Sequence, residues 1–415
     1  MKTIPVLCGL AAILLSSAEA GDTRIWTSRK GSTIEAEFLS LDGESATLLG
    51  PESKQLVLKV NDLSLADRQY LVEVGGADPK ILITGELGEP EKQVRIDSKT
   101  FKSIKDKTLD FGTAKEGKFE LMESEHFLLA SAGKVRAQAV AETAERLWHG
   151  MAFQHMNFRR DWGDKKMLVI LAEDRTAHAA VGSWYQEHLK SLGKDAIAVD
   201  VGMTWDKGAG TSINLSEEMT EEYNVFPTAM YYNITQPQLF KKAMAPFVIH
   251  TFAKSLLSKQ LGGVSSFGAQ GYFAVLTGHG YFKEMSLAGK SETQLIAVTE
   301  TSKEFSEKKG FEDGTSWSRT LKGLVRKGKV KTELEPMFQW KTEDLTPERL
   351  VLIYSFACYM QSNPQRLNSF AAMVRRIESS NQIPATIEIA RLFGFESVEA
   401  LEADWTNFIK EGDFK

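Results

Sequence analysis

The side chains best placed to do chemistry sit in one short stretch, Phe247-Val248-Ile249-His250-Thr251-Phe252-Ala253-Lys254, and just beyond it at Gln270. Positions 250 and 254 are four apart, so on a helix both side chains stand on one face. Two histidines at that spacing, with a glutamate after the first, would hold a metal ion and take a proton from its bound water. Here the pattern keeps His250 alone. Thr251 cannot act as a general base near neutral pH. Lys254 is ordinarily an ammonium and repels a divalent cation at short range. Gln270 offers a neutral carbonyl oxygen. Catalytic zinc takes three protein ligands, so the stretch predicts neither a bound metal nor metal-assisted hydrolysis, and no catalytic residue or cofactor is expected. Two readings stay open. His250, Lys254 and Gln270 form a polar cleft able to bind a peptide or a carboxylate, or His250 is a hydrogen-bonded core residue.

Rival sites are weaker. Seven histidines occur, and none makes a second ligand pattern with Asp, Glu or Cys. His149 and His155 are six apart and point to different faces of a helix. His126 precedes Phe127 in a strand and reads as a packed or edge residue. Ser265 and Ser266 have no aspartate partner to complete a triad. Asp206-Lys207-Gly208-Ala209-Gly210 lacks the spacing of a phosphate loop and reads as a plain loop. Cys358, within an apolar run, is expected as a small buried hydrophobe.

The elements that must position these residues follow from periodicity. Thr33 to Leu39, Ser45 to Leu49 and Gln55 to Val60 read as short strands separated by Asp42-Gly43-Glu44 and Gly50-Pro51 turns, and a capped helical turn runs from Asp62 to Tyr70. That is the pattern of a small SH3-like barrel. Trp26, Phe38 and Tyr70 either fill its core or form a binding face, since aromatics serve both roles. Residues 76–118 read as linker with short strands. Beyond them, strands at Phe119–Met122, His126–Leu129, Lys166–Leu171 and Ala196–Val201 alternate with helices at Lys134–Phe153 and Thr176–Leu192, which fits an α+β lobe. A long helix is expected from Gln238 to Lys259, interrupted only by Pro246, and a second beginning near Phe267. Helical patterns then follow at 347–360, 364–377 and 383–393, with Ser397 as the N-cap of a last helix.

Two resemblances rest on these residues. Arg24-Ile25-Trp26-Thr27, Gly31, Ala36, Phe38, Leu63-Ser64, Asp67 and Tyr70 resemble Sla homology domain one, a module of actin-cytoskeleton and endocytic adaptors. Similar modules begin exported proteins of planctomycete- and verrucomicrobium-like bacteria. In the adaptors the module binds an Asn-Pro-Phe-x-Asp peptide, which implies peptide or protein binding here. Residues 119–411 resemble the peptidase MA-like gluzincins, whose first helix carries His-Glu-x-x-His and whose second reads Trp-x-x-Glu-Gly. His250 and Gly271 match that pattern. Thr251, Lys254, Phe267 and Gln270 replace the catalytic glutamate, the second histidine, the tryptophan and the glutamate ligand. The resemblance therefore implies a thermolysin-like α+β lobe with a mainly helical C-terminal lobe and a zinc site that has been lost.

Composition bounds the rest. The chain has 415 residues, 42% apolar and 25% charged, with a net charge of −5 and no basic domain, which disfavours a nucleic-acid partner. Lys2, the apolar run Ile4–Leu15 and Ala18-Glu19-Ala20 read as a secretory signal peptide cleaved before Gly21. No later stretch is long and apolar enough to span a bilayer. The expected organisation is a signal peptide over 1–20, an SH3-like module over 21–75, a linker over 76–118, a peptidase-like lobe over 119–285 and a helical lobe over 286–415. The sequence points to an exported, periplasmic or extracellular, non-catalytic protein with a protein or peptide ligand. The alternatives are a hydrolase with an atypical site around His250 and a structural cell-envelope protein.

Overall fold

A computed structural model describes residues 23–415 except 85–86, 112–117, 156–162, 209, 263–270, 294–307, 413 and 415. The N-terminal strands β1 (Arg24–Thr27), β2 (Thr33–Asp42), β3 (Ser45–Leu49) and β4 (Gln55–Lys59) pair antiparallel in sequence order. Alternation turns Trp26, Ala36, Ala46 and Leu48 onto one buried face. Gly43, at φ +55, makes the tight β2–β3 turn. The helical turn expected over 62–70 is helix α1 (Leu65–Glu73), which starts three residues later because the Ser64 side chain accepts the Asp67 amide. Buried Asp67 also draws in its neighbours. Its carboxylate accepts from Ser64 Oγ at 2.6 Å, the Thr27 amide at 2.8 Å and the Arg24 guanidinium at 2.8 Å. The expected SH3-like barrel does not close among the described residues. After β4 the chain turns into the 3₁₀ segment Val60–Asp62 and then α1 rather than a closing strand. Between β1 and the segment after β4 the ladder is limited to the isolated bridge Ser28–Leu63, supported by backbone bonds from the Ser64 amide to Thr27 O and from the Arg29 amide to Asp62 O.

Residues 76–118 hold 3₁₀ turns at Pro79–Leu82 and Ser98–Thr100, the single turn α2 (Pro90–Gln93) and one strand, β5 (Lys102–Asp110). That strand belongs to the second sheet. With β6 (Lys118–Glu123), β7 (Phe127–Ala132), β8 (Met167–Ala172), β9 (Gly210–Asn214) and β10 (Thr228–Asn233) it forms a six-stranded mixed sheet of order β5-β6-β7-β8-β10-β9. Strands β7, β8 and β10 run parallel. Every residue of β8 is buried, as its unbroken Met167–Ala172 apolar run requires when both faces are covered.

Helix α3 (Ala137–Gln154) joins β7 to β8, while α4 (Arg175–Ser191), α5 (Asp195–Thr204) and α6 (Glu217–Tyr223) lie between β8 and β10. The strand expected at Ala196–Val201 is helix α5. Its apolar run is too short for periodicity to separate strand from helix, and only Ala198 is buried while Ile197 and Val199 are exposed. The long helix expected from Gln238 also differs. A 3₁₀ turn at Pro237–Phe240 is followed by a break, and α7 (Pro246–Gln260) starts with Pro246 in its first turn. Proline lacks the amide that a continuous helix would need there, yet fits a helix start.

Helix α8 (Tyr272–Ala288) packs along α7. The rest is helical among the described residues, with α9 (Trp317–Arg326), α10 (Leu334–Gln339), α11 (Pro347–Met360), α12 (Pro364–Ser380), α13 (Thr386–Leu392) and α14 (Val398–Glu411). Ser397 caps α14 through the Ala400 amide, as expected. One hydrophobic core runs from Phe127 to Phe414, so the boundary expected at 285 falls inside α8 and inside that core. A second core, centred on Leu168, Ile170 and Tyr231, lies against α4. No helix among the described residues is long and apolar enough to cross a membrane.

Cys358 on α11 is buried, and burial pushes its thiol pKa up to about 12. The thiolate is the reactive form. The native protein is therefore expected to resist iodoacetamide at pH 8 and to be modified once unfolded in urea. Rapid labelling of the folded chain would contradict this packing.

Candidate functional site

Helices α7 and α8 bring the singled-out residues into the largest core. On α7, Val248, Ile249, Phe252, Ala253, Leu256 and Leu257 are buried, and His250 faces α8 with 4% of its surface exposed. Its ring lies over Gly280, where a Cβ would stand 3.0–3.2 Å from three ring atoms. Glycine is needed there so that an imidazole can lie on the backbone. Tyr281 meets the ring edge-on at 4.3 Å between centroids and donates its hydroxyl to Thr293 O at 2.6 Å. Glu284 lies on the same side. Its Oε2 is 3.3 Å from His250 Nδ1, but the alignment is not that of a hydrogen bond. The carboxylate is held elsewhere, by the amides of Glu292 and Thr293 at 2.8 and 3.0 Å and by Ser291 Oγ at 3.1 Å. Burial lowers the pKa of His250, Glu284 acts in the opposite sense, and Lys254 adds to the lowering.

The other sequence-stretch residues are placed as follows. Thr251 donates its hydroxyl to the carbonyls of Phe247 and Val248, at 3.0 and 3.1 Å, and is committed to its own helix. Lys254 is half-buried, has no hydrogen-bond or ionic partner among the described residues, and has its pKa lowered by burial. Gln270, Phe267, Ser265 and Ser266 lie outside the described residues, and Gly271 begins α8 at φ +80. Among the described residues no group of three or more His, Cys, Asp or Glu side chains could hold a metal ion. Among the described residues the α7 site offers a metal one histidine, packed face-down on Gly280, with the Lys254 side chain one turn beyond it.

A second buried polar group borders this one. Lys283 Nζ donates to Glu91 Oε1 at 2.5 Å and to Gln154 Oε1 at 2.6 Å, and all three residues are buried. Nearby, His155 and His279 are buried with both ring nitrogens unpartnered among the described residues, their centroids 6.2 Å apart. Glu91 belongs to α2, in the region read as linker. Arg146 on α3 fastens that turn by donating to the carbonyls of Glu91 and Val94 at 3.1 and 3.0 Å. A cleft of about 560 Å³ opens beside it, lined in part by Leu87, Lys92, Gln154, Phe282, Gln361 and Leu367. Sequence reasoning missed this group. The available signal was the Lys283-Glu284 pair inside the otherwise apolar α8, because adjacent charges in a buried helix need partners.

The N-terminal aromatics come together. Trp26 and Tyr70 meet edge-on at 5.7 Å, and Phe38 lies 6.4 Å from each. Trp26 is buried and donates its indole N–H to Ala36 O at 3.0 Å, whereas Phe38 and Tyr70 are half-buried. The Arg24 guanidinium lies over Tyr70 at 4.3 Å. His126 is held by Glu145, Nδ1 to Oε2 at 2.7 Å, and packs on Trp148. Asp206, in the glycine-rich loop, contacts His178 Nε2 at 2.8 Å, and the other ring nitrogen of His178 meets the Tyr231 hydroxyl.

Compared with models of protein families, with curated proteins and with solved structures, the chain finds no match.

Proposed function

We propose that this chain is an exported, non-catalytic protein- or peptide-binding protein, in which an adaptor module built on the open four-stranded N-terminal sheet precedes a degenerate gluzincin-type lobe. The observation that supports this most is the setting of His250. Its ring packs on Gly280 and Tyr281, its nearest carboxylate accepts from three other donors, and Lys254 occupies the next turn of the face. Among the described residues no ligand set for zinc surrounds His250, and Thr251 has its hydroxyl turned to the helix backbone. Binding remains open to the molecule through half-buried Phe38 and Tyr70 and through the cleft beside α2, whose volume of about 560 Å³ is within the usual range for ligand pockets, about 300–1,000 Å³.

Elemental analysis of the chain freed of residues 1–20, after dialysis against trace zinc, tests the reading. No stoichiometric zinc and no peptide turnover are expected, and one tightly held zinc per chain would overturn it. Lys254 supports a second reading, a hydrolase with an unusual site, because a desolvated lysine without a carboxylate partner among the described residues is a candidate base or nucleophile. Turnover that survives both His250→Ala and Lys254→Ala would remove that reading.

A further inference from the structure

From Gly314 to Thr332 the chain carries six cations and no acid, although its net charge is −5. Helix α9 sorts these residues. Trp317, Leu321 and Val325 recur every four residues and are buried against the C-terminal helices. Arg319, Lys322 and Arg326, spaced by three and four, fall on the other side of the helix. Arg319 and Arg326 are exposed and Lys322 half-exposed, and the stripe continues through exposed Lys327, Lys329 and Lys331. Little of this charge is neutralised. Arg326 donates to the backbone carbonyl of Lys410, and Lys331 has one exposed ion pair, with Glu333 at 3.7 Å. Arg319, Lys322, Lys327 and Lys329 have no ionic partner among the described residues.

We infer that the outer face of α9 and the turn after it form a docking surface for an anionic phospholipid membrane. The cations on the helix and on the turn after it are exposed or half-exposed, so an extended array of headgroup phosphates presents many acceptors to them. Each lysine or arginine near such a surface contributes about 1 kcal/mol. The acidic remainder of the chain is repelled by the same surface, so the charge asymmetry also fixes which side faces it. On the proposed reading of the chain as exported, on which this choice rests, a lipid surface is favoured over nucleic acid. This inference is independent of whether the α7 face or the N-terminal module binds a peptide.

Co-sedimentation of the chain freed of residues 1–20 with vesicles tests it. Binding is expected to vesicles of equal parts phosphatidylglycerol and phosphatidylcholine, not to phosphatidylcholine alone, and is lost at high salt. The variant Arg319→Gln/Lys322→Gln/Lys327→Gln/Lys329→Gln is expected to bind roughly 1,000-fold more weakly, with an unchanged circular-dichroism melt. Equal binding to neutral vesicles, absence of binding to the anionic ones, or full binding by the variant would each overturn the inference. Retention on duplex DNA without retention on vesicles would overturn it in favour of a nucleic-acid partner.

Discussion

Replacing Glu91 by alanine is expected to lower the unfolding free energy by about 3–5 kcal/mol, the usual cost of stranding one member of a buried ion pair. Lys283 is 3% exposed, and its ammonium has Glu91 Oε1 and Gln154 Oε1 as its acceptors. Without Glu91 a desolvated cation keeps a single neutral oxygen. The effect would read out in urea unfolding as a fall in the midpoint. The double variant Glu91→Leu/Lys283→Met separates charge from packing, because an apolar pair of similar volume is often neutral. It is expected to recover most of the loss. A second route to the same lesion is Gly150→Ala on α3. Helix propensity alone would favour alanine by about 1 kcal/mol, but the added Cβ would overlap the carboxyl of Glu91. The substitution is therefore expected to destabilise. A loss below about 1 kcal/mol for Glu91→Ala, the scale of an exposed pair, would mean that water reaches the ion pair and that α2 is not fastened as described.

This pair also shows where sequence reading stops. Elements set by local patterns were legible. Ser397 caps the helix expected of it, and the buried strand expected at Lys166–Leu171 is present as Met167–Ala172. Pro246 was legible as a breaker, but its effect was underestimated, since it starts α7 instead of lying within it. Barrel closure was not legible, because strand number and pattern do not fix whether the last segment pairs back to β1. At the α7 site, the placing of His250, Thr251 and Lys254 on one helix was legible. The carboxylate nearest His250 was not, because Glu284 is brought there by how α8 lies on α7. Glu91 was the least legible. It lies 192 residues from Lys283, in a stretch whose Pro-Glu-Lys-Gln composition reads as solvent-facing. Nothing local distinguishes it from a surface glutamate.

Acidification is expected to destabilise the protein steeply below about pH 6.5, before most carboxylates titrate. The cause is the pair His155 and His279. Burial and the neighbouring Lys283 cation push the pKa of His155 down to about 3. Burial, Lys283, His155 and His250 hold that of His279 well below its ordinary value. Both rings are thus neutral in the folded chain, while in the unfolded chain they take up protons near pH 6.5. The unfolded state binds more protons, so stability is fully present above that pH and is lost as pH falls toward the folded values. Each ring contributes up to about 1.4 kcal/mol per pH unit in this window, and the two together about twice that. His250 adds in the same direction, since its pKa is also lowered. The groups facing the pair decide the sign. Lys283 on α8 opposes a second cation, and the Phe370 ring on α12 offers neither imidazole an acceptor. His155→Phe/His279→Phe removes the titrating nitrogens and keeps a ring at each position. Removing buried polar atoms that lack partners costs little or stabilises, so the variant is expected to match or exceed the parent at pH 7. At pH 4.5 it should exceed it by several kcal/mol, on the order of 1.4 kcal/mol per ring per pH unit below 6.5. Urea unfolding at a series of pH values would show the difference as a flatter profile for the variant. Parallel profiles for the two proteins would mean that these imidazoles are already partnered or protonated in the folded chain, and the acid sensitivity would then have to come from the carboxylates.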